Sequence, residues 1–161
     1  MGLFSKLFKG PEVDQEKSDQ NRRKMRELFD SAVPDGGAYK LIFGYTEDVR
    51  RFNYGFVHGS KSSIGNLIVG WDADNSVIAV VPTVPDLSAR GDAVLYRRSE
   101  IHKAYRNKYP TDAFIIYPDR KGYIGINACD WLNDEKLYVY VEQEAALKEF
   151  TDFFMNCYAT K

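Results

Sequence analysis

Cysteine and histidine are scarce in this chain of 161 residues. The two cysteines, Cys129 and Cys157, cannot build a disulfide framework, and neither belongs to a C-x-x-C pair. With only His58 and His102 beside them, a structural zinc site is not expected, nor any other cofactor. So few thiols fit a reducing compartment, and the expected location is the cytoplasm. A charge excess is missing too. Lys and Arg number 22 against 23 Asp and Glu, a formal net charge of −1. General nucleic-acid binders carry a basic excess, so no specific nucleic-acid partner is expected. No apolar run approaches membrane-spanning length. The opening residues 1–10 lack an apolar core of signal-peptide length. Lys6 stands where a myristoylation signal needs Ser or Thr. Also absent are a phosphate loop, a G-x-S-x-G nucleophile elbow, internal repeats and low-complexity tracts.

What is present is ordinary globular chemistry, with 44% apolar and 14% aromatic residues. The length fits one domain that needs no metal or disulfide to fold. Leu3, Phe4, Leu7 and Phe8 would share one helical face, with Lys6 and Lys9 beside it. Residues 1–9 therefore suit a weak peripheral contact with a membrane surface or a partner, or else simply begin a flexible segment over 1–17. A single domain over 18–161 follows. Ser18 is placed to cap a first helix that carries Met25, Leu28, Phe29 and Ala32 on one face, and Pro34-Asp35-Gly36-Gly37 stops it.

From Ala38 the period becomes strand-like. Strands are expected around 39–45, 49–58, 65–71, 76–82, 93–98, 113–117 and 123–127. Turns fall at Ser60-Lys61-Ser62-Ser63, Asp72-Ala73-Asp74-Asn75 and Pro118-Asp119-Arg120-Lys121-Gly122, and 82–92 is a loop. Residues 99–109 fit either period, with strand preferred. Leu137 to Val141 reads as a last strand or as the entry to the last helix. Gln143 to Tyr158 is a helix with Ala146, Leu147, Phe150, Phe153, Phe154 and Cys157 in one stripe. The fold class is α+β: an antiparallel bent sheet or partly open barrel of about seven strands, an N-terminal helix, and a C-terminal amphipathic helix on the sheet.

Over Tyr39 to Tyr158 this order resembles the pleckstrin-homology-like superfold, in which a C-terminal helix closes a bent sheet. Gly70-Trp71-Asp72 and Ile78-Ala79-Val80-Val81-Pro82 resemble hairpins of bacterial domains of this kind, and Phe150 could serve as the aromatic residue expected early in the final helix. The helix over 18–32 departs from the minimal pattern. The resemblance implies a module that binds peptides or phospholipid headgroups, and rarely an enzyme.

Candidate functional residues are few. His58 or His102 with an Asp could serve a small hydrolase, but neighbouring Ser60, Ser62 and Ser63 make no oriented pair with His58 by spacing alone. Asp72, Asp74 and Asn75 could hold a hard cation, yet the remainder of a calcium loop is missing, so a hairpin turn is expected. Arg90-Gly91-Asp92 is read as a turn. The richest group is basic: Arg97, Arg98, His102, Lys103, Arg106 and Lys108, interleaved with Tyr105 and Tyr109, with Arg120 and Lys121 on a later turn. It suits a phosphate-bearing ligand, a phospholipid headgroup or an acidic protein partner, and aromatics among cations also suit single-stranded nucleic acid. It equally suits a solvated strand edge. The acidic loop over 127–136 carries Trp131, either an exposed anchor of an immunity-type interaction protein or a core residue under the C-terminal helix. The expected function is a non-enzymatic binding module working through the basic strand face.

Overall fold

The computed structural model describes residues 12–52, 54, 64–108 and 112–159. Its first helix, α1 (Gln15–Ala32), begins ahead of the expected cap. Asp14 is the N-cap, and its Oδ1 accepts the Lys17 N–H at 3.1 Å. The Ser18 N–H already bonds within the helix to the Asp14 carbonyl, which leaves the Ser18 side chain free for another use. Ser18 is fully buried, and its Oγ accepts the N–H of Glu142. After Val33, Asp35 takes a left-handed backbone (φ 57°) that turns the chain towards the sheet.

Seven strands follow: β1 (Lys40–Thr46), β2 (Gly65–Asp72), β3 (Val77–Thr83), β4 (Val94–Arg97), β5 (Lys103–Asn107), β6 (Ala113–Tyr117) and β7 (Ile124–Asn127). They form one open sheet in the order β4-β3-β2-β1-β7-β6-β5, with every pairing antiparallel. The last helix, α2 (Glu144–Phe153), runs on through a wider π-helical turn over Phe154–Tyr158.

Chain length forces this sheet to curl. Laid flat, edge strands β4 and β5 would lie about 29 Å apart at the usual strand spacing. The link from Arg97 to Lys103 reaches at most about 21 Å. Curvature therefore brings the edges towards each other, and α2 fills the inside. Tyr96 of β4, Ala104 of β5, Phe114 of β6 and Trp71 of β2 share one core cluster with Leu147, Phe150, Phe153 and Tyr158. The final turn bridges the open edge. It packs against β5, and the Tyr158 hydroxyl donates to the carbonyls of Ser76 and Tyr96. Burial pushes the Tyr158 phenol well above its ordinary range and the Tyr96 phenol up to about 12.

The outer face of β1–β4 is covered by α1, through Met25, Phe29 and Val33 on Phe43, Ile68 and Ala79. Gly70 permits the close approach, since a Cβ there would collide with the Phe29 ring.

Four local expectations are corrected. Within 49–58, Val49–Arg51 is a 3-10 turn rather than strand, Phe52 is buried, and the Tyr54 hydroxyl donates to the Asn66 carbonyl. The rest of that span, His58 included, lies outside the described residues. Within 99–109 the strand is shorter, because Arg98–Glu100 forms a 3-10 turn before β5.

Leu137 to Val141 is neither strand nor helix entry, because side chains take its backbone hydrogen bonds. Asn66 donates to the Leu137 carbonyl and accepts the Val139 N–H, and Asn21 donates to the Tyr140 carbonyl. The fourth correction concerns Trp131. It packs edge-on against Tyr140 at 5.8 Å, on the side of α1, while Trp71 is the tryptophan under α2, 5.3 Å from Phe150.

Candidate binding surface

Among the described residues, the curl and the covering helix leave the outer side of β5–β7 open. Register places Lys103 opposite Tyr117 and Tyr105 opposite Ile115, with Ile115 in turn opposite Gly125. Paired residues share a face, so Lys103, Tyr105, Tyr117 and Tyr123 stand together on the outer side of β5–β7. The inner side is set by Ala104 and Phe114, which belong to the core with α2. The core group under α1 takes no residue from β5–β7.

The three tyrosines form a ladder. Ring centroids lie 6.3 Å apart for Tyr105 and Tyr117, and 5.3 Å for Tyr117 and Tyr123. Tyr105 is 40% exposed and Tyr123 50%. The Lys103 ammonium sits 4.5 Å above the Tyr117 ring. Partial burial first, and then hydrogen bonding with the Tyr117 hydroxyl, push the Tyr105 phenol above its ordinary range.

Cations gather at the end of the ladder where β5 starts. The His102 N–H donates to the Tyr117 carbonyl, which brings His102 and Lys103 to the turn bearing Arg120 and Lys121. All four side chains are exposed. Asp119 lies in the same turn, but its Oδ1 is taken up by the N–H groups of Lys121 (2.7 Å) and Gly122 (3.2 Å). Among the described residues, Lys103, Arg120 and Lys121 are in no ion pair. Sequence reasoning missed Arg51, whose guanidinium lies where a Cβ on Gly122 would stand. The adjacent pair Arg50-Arg51 was its one visible signal, hidden by the strand expected there. Charge segregation is marked. Residues 97–123 hold seven Lys or Arg and three Asp or Glu, a net of +4 in a chain whose total is −1.

The other expected basic residues do not join this group. Arg106 points to the inner side. Its guanidinium forms a bidentate pair with Asp112, at 2.7 Å (Nε to Oδ1) and 2.5 Å, and lies over the Phe114 ring. Arg97 lies at the opposite edge, in β4, and lines a depression of about 1000 Å³ with Tyr39, Asp72 and Asn75. Arg98 is half-buried near Tyr158, whose pKa it partly lowers. Lys108 is exposed just past the far end of β5.

The remaining candidates resolve into local structure. Asp72 accepts from the backbone of Asp74 and Asn75 and from the Asn75 side chain, a self-contained turn. Among the described residues no cluster of His, Cys, Asp or Glu could hold a metal ion. Arg90 ties its loop to Ser31 at the end of α1, and the Gly91 N–H donates to the Pro82 carbonyl. The His102 side chain is exposed, with no hydrogen bond or ion pair among the described residues. Burial raises the pKa of the Cys129 thiol, which lowers its thiolate fraction. In the acidic loop, Glu135 is paired with Lys17 at 2.9 Å. No described helix is long and apolar enough to cross a membrane, and residues 1–9 lie outside the described residues. Compared with protein-family models, with curated proteins and with solved structures, the chain matches none.

Proposed function

We propose that this chain is a non-enzymatic binding module of pleckstrin-homology-like type, and that it takes an anionic ligand or an acidic protein segment on the outer face of β5–β7. One observation carries the proposal: Lys103, Arg120 and Lys121 stand exposed, in no ion pair among the described residues, beside tyrosines on the part of the sheet that α1 leaves open. Lysines and arginines that only guard an edge need no aromatic ladder beside them. Large exposed aromatics are costly in water unless something covers them. Support for the family-level part comes from the strand order and from the C-terminal helix closing a curved sheet, as the sequence resemblance implies.

The test is charge reversal. Inorganic polyphosphate is titrated into the full chain and into the triple variant Lys103→Glu, Arg120→Glu, Lys121→Glu. The wild type should bind, more weakly as salt rises, and the triple variant should lose at least tenfold in affinity. Arg97→Glu should bind like the wild type. Equal affinity for the triple variant and the wild type, or no binding by the wild type, would overturn the proposal.

A further inference from the structure

We propose that the ligand of this face is single-stranded nucleic acid, bound by stacking and by backbone charge without base preference. The inference rests on the function proposed above and names its ligand class.

Two features select it. The first is the shape of the charge. Lys103, Arg120 and Lys121 stand exposed at one end of the tyrosines, so the charge is a cluster from which the rings run on. One phosphate group would use that cluster alone, whereas a nucleotide chain sets its backbone there and lays its bases along the rings. The second feature is the ladder. Tyr105 and Tyr123 offer exposed rings on either side of the Tyr117–Lys103 pair, so a base can stack on each while the ammonium between them faces the backbone. The face is an open strand surface. It suits flat rings better than a side-chain anchor or an enclosed headgroup.

Duplex is disfavoured by the same geometry, because paired bases cannot reach the rings without leaving their stack. The overall charge of −1 does not oppose the inference, since among the described residues the face itself sets Lys103, Arg120 and Lys121 against Asp119 alone. A modest affinity and a shallow salt dependence follow from the small number of cations.

The experiment is fluorescence anisotropy with a labelled twelve-nucleotide oligo(dT), set beside polyphosphate, a duplex of equal length and anionic phosphatidylserine vesicles. Tyr105 and Tyr123 are both exposed, so the double variant Tyr105→Ala, Tyr123→Ala should fold, as circular dichroism and thermal melting will show. It should bind oligo(dT) at least tenfold more weakly than the wild type while its polyphosphate affinity stays within twofold. Tyr105→Phe, Tyr123→Phe keeps the rings and should stay within twofold of the wild type for both. If the alanine variant binds oligo(dT) as well as the wild type does, the nucleic-acid inference falls while the polyanion-binding function stands. The inference falls equally if duplex binds as tightly as the single strand, or if the alanine variant loses binding to vesicles rather than to oligo(dT). If the wild type binds neither polyphosphate nor oligo(dT), both proposals fall together.

Discussion

Replacing Gln143 by leucine is expected to cost the fold about 3 kcal/mol or more, a large part of the stability of a domain this size. Gln143 is 4% exposed, and every hydrogen-bonding group of its side-chain amide is engaged. Its Oε1 accepts the Phe43 N–H at 2.7 Å, and its Nε2 donates to the carbonyls of Phe43 (2.8 Å) and Cys129 (2.9 Å). The amide thus stands in for a missing strand neighbour. Of β1, only Tyr45 is paired with β7, through Asn127, so among the described residues the Phe43 backbone is met on that side by Gln143. Leucine fills similar volume but leaves one N–H and two carbonyls buried and unbonded, each worth about 1–3 kcal/mol. Urea unfolding of wild type and Gln143→Leu would measure the difference. A loss under about 1 kcal/mol would mean that water reaches those groups and that the staple is not structural.

Phe150→Ala should be comparably severe, at about 3–5 kcal/mol. Phe150 is fully buried at the centre of the concave core. Its ring centroid lies 4.8 Å from Phe114 on β6 and 5.3 Å from Trp71 on β2, so it joins the two ends of the curved sheet through α2. Removing it opens a cavity that neither end can close without losing its curvature. The same truncation at Tyr123, half exposed on the outer face, should change stability by less than about 1 kcal/mol. Thermal and urea unfolding of the two variants would separate a packed concave core from an exposed ladder. Similar losses at both positions would contradict that division.

These two positions also show how far the sequence could be read. Phe150 was legible, because its neighbours at three- and four-residue steps are apolar and the sheet was the one large surface for them to meet. The strands 40–46, 65–72, 77–83, 113–117 and 124–127 were legible for a related reason: turn residues bound each alternating or β-branched run. Gln143 was not. A glutamine just before a helix reads as solvent-facing, and nothing local shows that its amide pairs with a backbone 100 residues away. Ser18 and Asn66 escaped in the same way, since each bonds to the segment around Leu137 to Glu142 from a distant part of the chain. That segment, apolar and aromatic, read as a last strand or as the entry to the last helix, yet side chains satisfy its backbone.

The basic group was half legible. Density along the sequence revealed it, but alternation sends Lys103 and Arg106 to opposite faces of β5. The Asp112 carboxylate that neutralises Arg106 lies across the hairpin. The tyrosine ladder depends on register between three strands, which spacing within any one of them does not give.

The most direct test of the open β5–β7 face as the binding surface is a nitrogen-15 chemical-shift titration of the full chain with polyphosphate. The largest shifts should fall on His102 to Asn107, on Ile115 to Tyr123 and on Arg51, with Tyr39, Asp72 and Arg97 unmoved. Shifts centred on the depression beside Arg97, or none at saturating ligand, would contradict it.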